Sequence, residues 1–453
     1  MIKTPKQLPL FPPGETSEEL VNEVSLKKSG LTNKLDFENR AFHDWYRFVL
    51  SFPPRLVDHY IRNFSLKKGD ILLDPFCGTG TSLVEAKLRG INSIGLEANP
   101  LADYASRVKV SWQVEPMVLL SAAKDIAANC VATFASQGID DRNLTKTSIA
   151  ENNLRSLEPE TLRLILTDSI SPLPLHKALV LRDLIDTHKE TDYYHHLRLA
   201  FAKAIVFSIS NLRFGPEVGV GKMKNDVSVV DSWFNQVAIM AHDLQLVFNR
   251  PHPESKVYRA DAREIDQIIE PKSINAVFTS PPYPNEKDYT RTTRLESVLL
   301  GFIQTKQDLR DLKKGLVRSN TRGVYKADED DKWVENNTEI QRIAKEIEHR
   351  RIELGKTSGF ERLYGRVTKL YFGGMARHLA GLRIVLRPGA YLGYVVGDQA
   401  SYLRVMIRTG TLLAEIAQSL GYEIVRIDLF RTRFATATKQ DLREEVVILR
   451  WKG

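Results

Sequence analysis

Cysteine is nearly absent: Cys77 and Cys130 are the only two in 453 residues. Two thiols cannot build a disulfide framework or an all-cysteine zinc site, and their scarcity suits a reducing compartment. No run approaches the roughly 18 apolar residues that a bilayer span needs. The opening MIKTPKQLPLFPPGETSEEL carries basic residues without the apolar core of a secretory signal. Fixed-period repeats and low-complexity tracts are also missing. These absences exclude a secreted scaffold and a solenoid, speak against a membrane protein, and lead us to expect a cytoplasmic globular chain. What is present fits that class, with 43% hydrophobic and 26% charged residues. Lys and Arg number 64 against 56 Asp and Glu, a net charge of +8 with pI ≈ 9.2. That excess points to a polyanionic partner.

Residues 1–40, rich in Pro, Ser, Lys and Glu at their start, read as an N-terminal arm. Phe42, Trp45, Tyr46, Phe48 and Phe52 then predict a helical stretch from 42 to 64, broken at Pro53-Pro54 and resuming over Arg55–Asn63. Asp70–Pro75 is a short buried strand, followed by a glycine-bearing turn and a helix over Thr81–Arg89 that Gly90 ends. Ile94–Glu97 is a second strand, and Asn99-Pro100 opens a second helix. This alternation predicts an α/β fold with a doubly wound, mostly parallel, Rossmann-like sheet. It stops over 111–253, which reads as a helical insertion. Strands resume at Val257–Asp261, Ile274–Thr279, Ala390–Val396, Ile424–Leu429 and Glu445–Trp451. Residues 286–370, dense in charge, form a second, helical insertion. The sheet domain is thus expected from 41–110 and 254–453.

Two segments carry chemistry. In Leu72-Leu-Asp-Pro-Phe-Cys-Gly-Thr-Gly-Thr-Ser82 a strand ends at an acid, and Gly78 and Gly80 let the backbone turn and approach a ligand. The next helix adds free N–H groups at its start. No GK[ST] follows, so this is not the phosphate loop, and a single Gly-x-Gly does not make the dinucleotide fingerprint. Glu97 and Asp261 each follow a strand, and an acid beyond the second strand is where such a sheet holds ribose hydroxyls. The second segment runs Asn275-Ala-Val-Phe-Thr-Ser-Pro-Pro-Tyr283. Its prolines remove donors and lock φ, so the carbonyls near Ser280 and Pro281 are rigid acceptors able to orient an exocyclic amine. Tyr283 offers a face for stacking on a base.

Together, Asp74-Pro-Phe-Cys-Gly-Thr-Gly80, the Glu97 strand and Thr279-Ser-Pro-Pro-Tyr283 resemble the S-adenosylmethionine-dependent DNA amino-methyltransferases. Phe52–Val57 resembles the segment leading into the family's cofactor strand. Leu386–Val396 and Glu445–Trp451 resemble its late strands, so the likeness covers roughly 40–110 and 255–453. It implies that Asp74, Phe76, Gly78 and Gly80 line the methionine side of S-adenosyl-L-methionine, that Glu97 holds the ribose and that Asp261 lies near the adenine. Ser280, Pro281, Pro282 and Tyr283 would be the catalytic tetrapeptide. A serine in its first place leans toward cytosine N4 over adenine N6. The implied partners are double-stranded DNA and a cognate restriction endonuclease, in a restriction-modification or defence setting. Either insertion is a candidate for reading the DNA sequence.

The catalytic loop has no cysteine to add to a pyrimidine ring, and Cys77 reads as a packed residue of the cofactor turn. Direct attack by the amine is expected, with the protein supplying position and electrostatics, the Ser280 side chain and the Pro281 carbonyl orienting the amine, and the leaving proton passing to solvent. The target base must first be flipped out. No metal is expected: His195 and His196 are neighbours on a helix and face different ways, and Asp328–Asp331 reads as a solvated run. Arg291, Arg294, Arg318, Arg322, Arg350 and Arg351 are candidates for phosphate contact, and Arg431 and Arg433 for contact with base or backbone. Three alternatives stay open. The first is an adenine-N6 enzyme. The second is a transfer-RNA amino-methyltransferase, which usually carries aspartate where Ser280 stands and an N-terminal RNA-binding domain. The third is a non-catalytic DNA-binding subunit.

Overall fold

Leu72–Asp74, Ala276–Thr279 and Leu392–Gly397 are buried without alternation, as strands covered on both faces must be. The computed structural model describes residues 40–47, 51–144, 149–215, 217–285, 287–435 and 439–453. Nearly all of the expected N-terminal arm lies outside them. The strands are β1 (Ile71–Asp74), β2 (Asn92–Leu96), β3 (Leu212–Phe214), β4 (Val218–Val220), β5 (Ser255–Tyr258), β6 (Ile274–Thr279), β7 (Leu386–Gly397), β8 (Glu423–Ala435) and β9 (Gln440–Arg450). Seven form one sheet in the order β5-β2-β1-β6-β7-β9-β8, and β3 pairs with β4 apart from it. β5, β2, β1, β6 and β7 run parallel, and β9 is antiparallel to both β7 and β8. The fold is therefore α/β with a mostly parallel sheet.

From β1 the chain winds outward to β2 and β5, then returns to β6 on the other side of β1. The crevice beyond the carboxyl ends of β1 and β6 is the place such a sheet offers a ligand. Two apolar clusters cover the sheet. One gathers Leu83, Val84, Leu101 and Val108 with the helices Pro116–Ser136, Pro172–Asp186, Tyr194–Ala204 and Val229–Val247 of the first insertion. The other gathers Leu73, Ile274 and Val277 with the helices Thr338–Glu353, Tyr364–Val385 and Thr409–Ser419.

The structure departs from the sequence reading in four places. Among the described residues the aromatics after Phe42 form only a 3₁₀ turn, His43–Trp45, and the helix begins at Pro54. Their spacing reflects packing: the Asp243 carboxylate accepts the Phe42 N–H (3.0 Å) and the Trp45 indole N–H (2.8 Å). Asp261 does not end a strand but heads the 3₁₀ helix Ala262–Gln267. The first insertion holds the β3–β4 ribbon besides its helices. Finally, Pro116–Ser136 is long and apolar enough to span a bilayer by length and composition. Its Leu119, Ala123, Ile126, Cys130 and Phe134 stripe is buried in the first cluster.

Candidate active site

The turn after β1 is built by its glycines and pinned from behind. Gly78 and Gly80 have φ of 52° and 79°, the left-handed region that glycine enters freely. A Cβ on Gly80 would also stand 3.0 Å from Ser106 Oγ, so the turn closes on the helix Pro100–Lys109 only with glycine there. From that helix the Ser106 hydroxyl donates to the Gly78 carbonyl (2.7 Å), and Lys109 Nζ donates to the Thr79 carbonyl (2.7 Å) and the Tyr46 carbonyl (3.3 Å). Lys109 is fully buried, and burial brings its pKa down to about 7.

Asp74 ties β1 to β6. Its Oδ1 accepts the Thr279 hydroxyl (2.6 Å) and the Phe76 N–H (3.2 Å), and burial raises its pKa to about 6. Glu97 ties the turn to the next helix, accepting the N–H of Gly78 (2.9 Å) and of Asn99 (2.7 Å). Burial raises this carboxyl to about 7. Phe76 lies edge-on to His378, centroids 5.0 Å apart. His378 Nδ1–H donates to the Ala262 carbonyl and Nε2 accepts the Tyr394 hydroxyl, both at 2.8 Å. Burial lowers this histidine to about 4, so the ring is neutral.

Beyond β6, the Ser280 hydroxyl donates to the Val395 carbonyl of β7 (3.1 Å). Among the described residues, no turn or loop N–H donates to the carbonyl of Ser280 or Pro281. The Tyr283 ring packs on Gly397, at the end of β7. Burial pushes the Tyr283 hydroxyl up, with Glu444 adding to the effect.

These two loops open into one cavity of about 830 Å³. Phe76, Gly78, Glu97, Asp261, Ser280, Pro281, Pro282 and Tyr283 all lie on its wall. Asp74 and Gly80 stand behind the wall and shape it. The Asp261 carboxylate is already engaged, because Arg263 grips it through its backbone N–H, Nε (3.0 Å) and Nη2 (2.5 Å). The same guanidinium reaches Asp330 and the Lys314 carbonyl in the second insertion. Gly315–Arg318 form the adjoining wall.

The phosphate candidates divide. Arg318 is buried, bound to Asp328 (2.8 Å) and to the Lys313 and Lys314 carbonyls. Arg294 holds the carbonyls of Thr290 and Leu164, Arg350 that of Leu403, and Arg351 pairs with Glu348. Arg291 buries its Nε without a partner among the described residues. Arg322 is exposed. Arg431 lines the cavity paired to Glu444 (2.6 Å), and Arg433 lines it exposed. His195 and His196 turn apart, toward Tyr104 and the Ser111 carbonyl. Sequence reasoning missed Glu217, the point where the first insertion reaches the cavity, and Lys287 and Asp398 on its wall. None of these three sits in a recognisable motif.

The model of a family described as DNA methylase, of the N6/N4 type, matches residues 23–105. Type II methyltransferase M.BsoBI of Geobacillus stearothermophilus is 25% identical over 93% of this chain and 86% of its own length. Type II methyltransferase M.AvaI of Anabaena variabilis is 22% identical over 89% and 83%. The chain is similar to the N4/N6 amino-methyltransferases. The matched segment includes the Gly78–Gly80 turn and Glu97. A transfer-RNA (guanine(10)-N2)-dimethyltransferase of Methanothermobacter thermautotrophicus is 43% identical over 47 residues, 10% of this chain and 14% of that protein. The likeness to the Type II enzymes thus runs along most of both chains, and the likeness to this transfer-RNA enzyme is local.

Proposed function

We propose that this protein transfers a methyl group from S-adenosylmethionine to the exocyclic amine of a flipped base in double-stranded DNA, cytosine N4 in preference to adenine N6. The observation that carries the reading is the shared cavity: the Gly78 turn and the Ser280–Tyr283 loop open into the same space. The same reading places it beside a cognate restriction endonuclease, and the similarity to Type II methyltransferases supports that setting.

The wall residues suit the donor. Glu97 has acceptor capacity beyond its two backbone bonds for vicinal hydroxyls. The buried Thr79 hydroxyl, on the cavity wall, has no partner among the described residues. Phe76 gives an aromatic wall that His378 holds in place. When bound, S-adenosylmethionine supplies an electrophilic methyl group on a sulfonium. The chain's task is then to present the amine. The Ser280 and Pro281 carbonyls accept the amine hydrogens and turn its lone pair toward the donor side, while Tyr283 stacks on the base. Since Asp261 is gripped by Arg263, its part is to anchor the Gly315–Arg318 wall at the donor end. In this reading the first insertion, residues 111–253, whose Glu217 reaches the cavity, reads the DNA sequence.

The test is incubation with labelled S-adenosylmethionine and either unmodified plasmid DNA or bulk transfer RNA, followed by chromatography of the hydrolysed nucleosides. Label in DNA as N4-methylcytosine is expected, lost in Tyr283→Ala. Label as N6-methyladenine would reverse the base preference, and label in transfer RNA alone would overturn the substrate.

A further inference from the structure

The β8–β9 hairpin continues past the end of the sheet. β9 pairs with β7 only as far as Glu444, opposite Gly397. The four pairs from Thr432–Arg443 to Ala435–Gln440 belong to β8 and β9 alone. They form a two-stranded ribbon beside the cavity mouth. Cross-strand partners share a face, and successive residues take opposite faces. Arg431, Arg433, Leu442 and Glu444 therefore share one face, and Thr432 and Arg443 of the other face also border the cavity at the base of the ribbon. Phe434, farther along that other face, is 62% exposed, does not line the cavity and stands opposite Asp441.

Charge at this rim is unbalanced. Arg431 has Glu444, whereas among the described residues Arg433, Lys439 and, on the cavity wall, Lys287 form no ion pair with a carboxylate. An exposed aromatic ring near Arg433 and Lys439, opposite the single acid Asp441 and on an element two strands wide, suits a DNA duplex, whose major groove admits a two-stranded ribbon. Proteins that hold a duplex open insert apolar side chains between base steps. An enzyme acting on a flipped base must keep open the gap it creates.

Resting on the DNA methyltransferase reading above, we propose that this ribbon is a wedge: Phe434 enters the base stack beside the flipped nucleotide, and Arg433 and Lys439 contact the phosphates flanking it. The alternation of the strand lets neighbouring residues serve two partners. Arg433 meets the backbone of the nucleotide turned into the cavity, and Phe434 meets the duplex it has left.

The test uses the full chain, unmodified plasmid duplex and three variants. Phe434→Ala should transfer methyl groups to duplex at least ten-fold more slowly with unchanged affinity for S-adenosylmethionine. Phe434→Leu, which keeps apolar bulk, should retain most of the rate. Phe434→Trp should gain emission over the wild type that added duplex quenches. Full-rate transfer by Phe434→Ala overturns the proposal, as does emission of Phe434→Trp that DNA leaves unmoved. Joint loss of donor affinity would assign Phe434 a structural role instead. If the wild type binds the donor but methylates no duplex, the DNA reading fails first and the wedge with it.

Discussion

Gly397 and Tyr283 meet at the end of β7: a Cβ on Gly397 would fall 2.9 Å from Tyr283 Cε2 and 3.4 Å from Cδ2. The position of the Tyr283 ring is thus set by the absence of a side chain on a neighbouring strand. The ring sits on backbone, which gives way less easily than a side chain.

Gly397→Ala should therefore act on turnover first through Tyr283, the nearer contact, with the flexible Glu444 side chain 3.3 Å away giving way more easily. A displacement of the order of 1 Å in a positioning group costs up to about 100-fold in rate. We expect kcat to fall about ten- to a hundred-fold, with donor affinity within two-fold of wild type. Steady-state rates and calorimetric binding of S-adenosylmethionine check this together. An unchanged kcat would mean that Tyr283 need not sit where it does.

Donor binding should depend on pH through Glu97. Burial raises this carboxyl to about 7, so it is half protonated near neutrality. Protonation turns one oxygen into a donor and removes acceptor capacity that hydroxyls need. Binding should therefore strengthen as pH rises. If the ionised form alone binds, the dissociation constant falls about ten-fold between pH 6 and pH 8, following the titration curve of a single group. Glu97→Gln should bind more weakly and show a flat profile, and a wild-type profile equally flat would remove Glu97 from the donor site.

The second insertion is seated by a missing side chain. Gly373, in the helix Tyr364–Val385, meets the Asp330 backbone so closely that a Cβ would overlap the carbonyl oxygen. Asp330 in turn holds Arg263, which grips Asp261. Gly373→Ala should push Asp330 away and cost about 1–3 kcal/mol, the usual range for overpacking. Because the displaced turn carries the wall at Gly315–Arg318, donor affinity should weaken as well. Urea unfolding and donor titration of the same variant measure both effects, and lost stability with intact affinity would uncouple the wall from the site.

What the sequence revealed of this site follows from where the information is held. The cofactor turn and the Ser280–Tyr283 loop are contiguous, so their glycines, prolines and strand-ending acid could be read in order. The parallel sheet was legible for the same reason, through alternating strands and helices. The grip of Arg263 on Asp330 joins residues 67 positions apart, and no local pattern announces it. Arg318 looked like a phosphate ligand because charge is visible in a sequence and burial is not. Phe42, Trp45 and Tyr46 have helical spacing, yet the first two serve Asp243, some 200 positions away, and Tyr46 serves Glu296, 250 positions away. The insertion of β9 between β7 and β8 is likewise a tertiary choice.

Lys109 gives the last prediction, because a buried ammonium that forms no ion pair among the described residues, with Asp44 only partly offsetting its burial, has a definite signature. Its folded pKa, about 7, lies below the ordinary lysine value of 10.5. Between those values the unfolded chain holds a proton that the folded one has shed. Stability contributed by this group therefore rises with pH across that window and is least below pH 7. Lys109→Met removes the titration and also the donor that holds the Thr79 and Tyr46 carbonyls. Relative to wild type, the variant should be least impaired near pH 6 and progressively more so toward pH 9. It should also bind the donor more weakly, since the Thr79 turn loses its rear support. Thermal melts across that range, paired with donor titrations, test both parts. A stability difference that does not change with pH would show that Lys109 keeps its charge in the fold.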